Sequence, residues 1–258
     1  VDPMPAVAYG IDPIRRVAGG ILAAGQEVQL HLHPNWAAAS DMDRTRHASF
    51  ELIDFTLAEQ RELIRAASDL LVAAGAQRPV AFRSGSYSAS DDTLTALAEL
   101  GFRYDSSHNG SEHPWPSAIG LGERQIAPVE HRGMIELPVT LIEDKRGHLR
   151  HFQICALSTA EMRAALDHAV RVDHAAVTIV SHGFELANRA GTRANAVHVH
   201  RFEALCRMLD ARRGALVTSH FADLSDLPLD RDDQPHGPSL IRTPMRQAQQ
   251  PWSNLESE

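Results

Sequence analysis

Extended apolar segments alternate with helical ones along most of this chain, and that alternation constrains its fold more than any other feature. In EVQLHLHP, Val28, Leu30 and Leu32 fall on one side and Gln29, His31 and His33 on the other, the period of two of a strand, which Pro34 stops. PVAFRSGSYSAS reads as a strand entering a Gly/Ser loop, and DDTLTALAELG as a helix capped at Ser90 or Asp91 and closed by Gly101. FRYDSS is a strand end, IELPVTLIED is extended, and STAEMRAALDHAV is a helix whose Ser158 and Glu161 have capping-box spacing. The run AAVTIVSHGF predicts a strand buried on both faces, NAVHVHRFEALCRMLDARRG a helix, and ALVTSHFADL a last strand. Earlier, Asp12-Pro13 opens a helix, and residues 49–74 predict one long or two shorter amphipathic helices ended by Gly75. Such alternation means a parallel α/β architecture, either a barrel or a doubly wound sheet, and in both the carboxyl ends of the strands carry the site. Residues 1–227 are expected to form this body, and 228–258, rich in Asp, Gln, Pro and Arg, a loosely ordered tail.

Composition narrows the partners. A formal charge of -8 without a concentrated basic surface argues against nucleic acid and anionic membranes, leaving a small or neutral partner. Cys155 and Cys206 are too few and too far apart for a disulfide scaffold or a thiolate zinc site. The chain has no run of 18 apolar residues and no signal-peptide pattern, which favours a cytoplasmic location, although its first residue is Val rather than Met. Oligomeric state is not legible in the sequence.

The strand ends carry His31 and His33, Arg83, Asp105, His182 and, on the last strand, His220. The spacing of His31 and His33 puts both rings on one strand face, where they share a metal or form a hydrogen-bonded pair. Arg83, before a Gly/Ser loop, orients a carboxylate or makes a surface ion pair. Asp105 orients a histidine or begins a turn, and His182 is a general acid or a core histidine. His198 and His200 lie within a helix, where i and i+2 diverge, and have packing or solvated roles. Together the strand-end residues suit metal-assisted hydrolysis.

In order, EVQLHLHPNW, FRSGSYS, the helix leading into FRYDSS, and IVSHGFEL resemble the second to fifth motifs of the polysaccharide deacetylases with a NodB-homology domain, a carbohydrate esterase family. The likeness spans roughly residues 10–225 and is nearest to a branch with an HLHP signature. It implies a distorted (β/α)7 barrel and removal of acetyl groups from a polysaccharide or sugar precursor with a divalent metal, zinc the expected ion. On that resemblance His31 is a metal ligand. The second ligand falls at Asn35, so either His33 replaces it or the metal site is weakened. Arg83 orients the base, Asp105 tunes the acid, His182 is the acid, and the Tyr87 N–H is the oxyanion donor, with a spacing one residue longer than usual. Trp36 and Trp115, with His148 and His151, are candidates to line a sugar groove. The family's first motif supplies two aspartates, a base and a metal ligand. Asp2 lies at the extreme start and Asp12 caps a helix, so the first strand and helix are expected to be missing and this chain alone to have little activity. The competing readings are an amidohydrolase-like metal hydrolase, which needs a bridging Lys or carboxylate, and an inactive carbohydrate-binding relative.

Overall fold

A computed structural model describes residues 1–39, 51–239 and 241–248. These residues divide into two compact units. The first comprises the described part of Val1–Glu123, Pro128–Pro138 and Ser219–Arg231, and the second Arg124–Ala127, Val139–Thr218 and the described part of Asp232–Glu258.

The first unit holds helices α1 (Ala6–Tyr9), α2 (Asp12–Ala23), α3 (Leu57–Ala73) and α4 (Asp91–Glu99). Its strands are β1 (Leu30–Leu32), β2 (Ala81–Ser84), β3 (Ala89–Ser90), β4 (Tyr104–Asp105), β5 (Ser117–Ala118), β6 (Val129–His131) and β7 (Met134–Glu136). Five form one sheet in the order β1-β2-β4-β7-β6, parallel except for β6, which is antiparallel to β7. Val28, Leu30 and Leu32 are buried and Gln29, His31 and His33 half-buried, the two-sided pattern the sequence predicts. The other edge of β1 is also paired: Val1 N donates to Gln29 O at 2.7 Å and His31 N to Val1 O at 3.0 Å, the bond pattern of a parallel ladder. Val1-Asp2 therefore continue the sheet beside β1.

The mixed α/β class with parallel strands agrees with the sequence. Among the described residues, however, this sheet is open, and the ladder does not close into the expected barrel. Its core gathers Leu30 and Leu32 with Leu63, Ile64 and Leu71 of α3 and Leu94 and Leu97 of α4. The helix predicted over 49–74 is the single helix α3 preceded by a short turn at Leu52–Asp54, while Ser49 and Phe50 lie outside the described residues. Thr56 and Glu59 cap α3 reciprocally, which explains its start.

The second unit pairs β8 (Leu141–Lys145) with β9 (His148–His151) as an antiparallel hairpin and adds α5 (Thr159–Val172) and α6 (Ala196–Asp210). Its own core contains Phe152, Ile154, Leu157, Met162, Leu166, Leu205 and Met208. The Ser158/Glu161 capping box starts α5 as the sequence predicts.

Two predicted strands do not form. In AAVTIVSHGF, Thr178 O accepts from Thr140 N and Val180 N donates to Phe152 O, so single bonds go to two different neighbours and only one parallel bridge, Gln153 with Val180, results. Apolar composition specifies burial, but a ladder needs successive partners on one edge. ALVTSHFADL likewise ends in a short turn at Phe221–Asp223, with Val217 81% exposed, and its His220 makes a surface pair with Asp223 at 3.5 Å. Composition also predicts looseness beyond Pro228. Within that stretch Ala175 N donates to Asp233 at 2.8 Å, and Thr243 and Arg246 are buried and hydrogen-bonded to Asp144.

Candidate functional site

At the carboxyl end of β1, His31 and His33 stand edge to face, ring centroids 4.7 Å apart. His31 Nδ1 lies 2.7 Å from Arg83 O. A carbonyl only accepts, so Nδ1 carries the proton and Nε2 the lone pair. Burial pulls the His31 pKa down to about 4, more than the Arg83 carbonyl raises it, so this imidazole is neutral at neutral pH. His33 Nδ1–H donates to Asp2 Oδ2 at 3.1 Å, while Asp2 Oδ1 accepts from Met4 N at 3.0 Å. Asp2, which the sequence reading set aside, thus sits against the imidazoles of β1, and the missing signal was the long-range pairing of Val1 with β1.

Arg83 is the penultimate residue of β2, two residues before the loop Gly85–Tyr87. Gly85 is required where it stands, because a Cβ there would lie 2.3 Å from His33 Cδ2 and 2.6 Å from its Nε2. Ser86 and Tyr87 follow with φ of 54° and 59°, a left-handed stretch that turns the loop over the sheet end. Burial lowers the Arg83 pKa while Tyr87 and Asp105 favour its charge, which an arginine retains in any case.

Asp105 ends β4 and is wholly buried. It accepts from Ser107 N at 3.0 Å and Ser107 Oγ at 2.8 Å, and Ser84 N donates to that Oγ at 2.9 Å. Its other partner is Glu136 on β7, also wholly buried, whose Oε1 accepts from His108 N at 2.9 Å. Burial raises both carboxyl pKa values, and the neighbouring Asp105 charge raises that of Glu136 further, so Glu136 holds the proton and donates it to Asp105. Glu136 was not singled out from sequence, although one acid inside the apolar run IELP was a usable signal.

In the second unit, His182 Nδ1–H donates to Glu185 Oε1 at 2.8 Å, so the lone pair or second proton of the ring belongs to Nε2. Gln153 Nε2 also donates to Glu185 Oε1, and Gln153 Oε1 lies 2.7 Å from His151 Nε2. Burial raises the Glu185 pKa, but bonds from His182 and Gln153 outweigh it and leave the net shift downward. The His182 side chain is 32% exposed and that of Glu185 4%, giving an accessible ring with a fixed buried carboxylate behind it. The spacing H-x-x-E was present in HGFE but unread. Cys155 contacts the same carboxylate, and burial together with that charge pushes its thiol up to about 12, consistent with an unreactive thiol.

The expected three-ligand metal site is not assembled by these side chains. His33 has Nδ1 taken by Asp2 and its Nε2 edge against Gly85, which leaves His31 Nε2 as an open imidazole donor. No three His, Cys, Asp or Glu residues among the described ones are grouped to hold a metal ion. Trp36 packs its ring against Tyr9, centroids 5.8 Å apart, and against the first core, which accounts for it by packing. Asn35 is exposed. His198 Nδ1–H donates to Glu185 O at 2.8 Å and the residue is buried, the packing role expected of it.

No family model and no curated protein matches this chain. Among solved structures it is similar to one titled "putative polysaccharide deacetylase" from Mycobacterium smegmatis, at 18% identity and a TM-score of 0.46, over 90% of this chain and 74% of the other.

Proposed function

We propose that this chain is a hydrolase that removes acetyl groups from a carbohydrate. The observation that carries the reading is Asp2: it stands beside the HLHP imidazoles, at the sheet end where the resemblance to the NodB-homology deacetylases calls for an aspartate. Support also comes from the order of the motifs and from the Nδ1 hydrogen bonds that orient His31 and His182.

In this reading Asp2 takes the proton of the water that attacks the acetyl carbonyl. The Arg83 guanidinium and the main chain of the Gly85–Tyr87 loop favour the negative charge that develops on the carbonyl oxygen. The resemblance assigns to His182 the proton given to the departing sugar amine or alcohol, and within the second unit Glu185 holds that ring by its Nδ1–H. Asp105, with Glu136 and Ser107, fixes the carboxyl ends of β4 and β7 next to Arg83. The divalent ion that the resemblance implies would be held through His31 Nε2 and would supply a Lewis acid for the acetyl carbonyl.

The test is acetate release from N-acetylated and O-acetylated oligosaccharides by the purified protein, with elemental analysis of the same sample. Release that falls at least about a hundredfold in Asp2→Ala and His182→Ala is expected. Undiminished release by both variants, or none from any acetylated oligosaccharide, overturns the proposal. A stoichiometric divalent ion lost in His31→Ala would assign that residue to metal binding.

A further inference from the structure

We propose that Phe184 is the stacking platform for the sugar residue next to the one that loses its acetyl group, so that the substrate is a carbohydrate chain rather than a single sugar. The inference rests on the deacetylase reading of His182 and narrows its substrate class.

His182 leads into the short turn Gly183–Leu186, which separates its side chains. Glu185 is buried and accepts from His182 Nδ1–H at 2.8 Å, whereas Phe184 is 75% exposed. The phenyl ring lies nearly flat on the imidazole, centroids 4.9 Å apart and planes 22° from parallel. The main chain holds the turn as well: Glu185 N donates to His182 O at 3.0 Å and Ala187 N to Phe184 O at 3.2 Å. Phe184 therefore rests on a ring that a buried carboxylate already fixes, and it has little rotational freedom left to lose when a ligand arrives.

With one face on His182 and most of the residue exposed, the other face of Phe184 is open to water. Among the described residues between Val172 and Phe202 no other large hydrophobic side chain is exposed. This stretch of chain thus offers a single flat ring, not an apolar patch of the kind that a protein partner covers. A pyranose suits it, because one C–H face of the sugar packs on the aromatic face while the hydroxyls at its edge stay hydrated.

Distance decides which sugar residue this is. A ring in contact with the outer face sits about 4 Å beyond Phe184, so with the 4.9 Å stack its centre is roughly 9 Å from that of the imidazole. The group that takes a proton from His182 Nε2 must come within about 3 Å of that atom. One sugar cannot meet both demands. The acetylated residue belongs at Nε2 and its neighbour in the chain on Phe184.

The test compares single sugars with short chains, using N-acetylglucosamine and its β-1,4-linked trimer, and O-acetylated xylose and xylotriose. Acetate release by the whole chain and by Phe184→Ala gives kcat and KM for each, and calorimetric titration gives the affinities. Phe184→Ala should raise KM and weaken binding for a trimer about five- to tenfold, leave kcat unchanged and leave the single sugars unaffected. Phe184→Trp should recover trimer binding. If no probe releases acetate the deacetylase reading fails, and Phe184 is then judged by titration alone. Trimers that bind no more tightly than single sugars, or equally well to parent and Phe184→Ala, overturn the proposal. So does a fall in kcat that is equal for single sugars and trimers, since Phe184 would then only support the His182 ring. A parent dimer that Phe184→Ala turns into a monomer in sedimentation would assign the ring to a protein contact and overturn it too.

Discussion

Asp105 and Glu136 lie opposite each other on neighbouring parallel strands, wholly buried, and share one proton. Because the folded pKa of Glu136 is raised, its proton stabilises the fold fully below the ordinary glutamate value, and that contribution is lost as pH rises through the raised value. Glu136→Gln keeps a donor toward Asp105 without the titration, so its denaturation midpoint should vary less with pH above the ordinary glutamate value than that of the parent. Glu136→Ala should cost about 1–3 kcal/mol at neutral pH by leaving Asp105 and the His108 amide short of a partner. Equal pH slopes for parent and Glu136→Gln would remove the shared proton from the account.

Gly85 and His33 are coupled by contact. A Cβ at Gly85 would stand 2.3 Å from the imidazole, so Gly85→Ala must displace the ring and break its bond to Asp2, at a cost of about 1–3 kcal/mol. In a His33→Ala background the same change should cost almost nothing. A double-mutant cycle by chemical denaturation measures the coupling, and additive costs would mean that the ring is not held against the loop.

His31 and His108 have pKa values pulled down to about 4 by burial. Between that value and the ordinary 6.5 the unfolded chain binds more protons than the folded one, so their effect is to make stability rise with pH over this window and fall as acid is added. This sign is opposite to that of Glu136. Proton NMR should show both rings unprotonated at pH 6, whereas titration of His31 near 6.5 would mean that its environment is open to water.

Local rules were legible in the sequence, and long-range pairing was not. The alternation of Leu30 and Leu32 with His31 and His33, the Ser158/Glu161 box and the ends of α3 and α4 at Gly75 and Gly101 follow from interactions spanning a few residues. Val1 beside β1 and Glu136 opposite Asp105 are pairings across 30 and 31 positions, which periodicity does not encode. The run from Ala175 to Val180 failed as a strand for the same reason: its apolar content is strand-like, but its neighbours offer single bonds instead of a ladder. Arg83 and Asp105 do lie at the carboxyl ends of strands, β2 and β4, but His182 follows a segment that forms no strand, and the partners Ser107, Glu136 and Glu185 emerged only with the fold.

Arg246 lies in the segment after Pro228, for which composition predicts a loose tail, and it is buried and paired. Its side chain, 5% exposed, donates from Nη2 to Asp144 Oδ2 at 2.6 Å and from Nε to Glu161 Oε1 at 3.1 Å. Asp144 belongs to β8 and also accepts from Arg150 at 3.0 Å, while the other oxygen of Glu161 caps α5. Arg246 therefore joins a hairpin and a helix start through carboxylates that are both buried. Arg246→Ala leaves the buried Glu161 without its guanidinium and Asp144 with only Arg150 and His148, and uncovering a buried charge in this way costs about 3–5 kcal/mol. Arg246→Lys should recover only part of this, because a single ammonium cannot match a guanidinium bonded through two nitrogens to two acids. Urea denaturation of the three proteins measures the order. A cost under about 0.5 kcal/mol for Arg246→Ala, typical of a surface change, would return this stretch to the loose tail that its composition suggests.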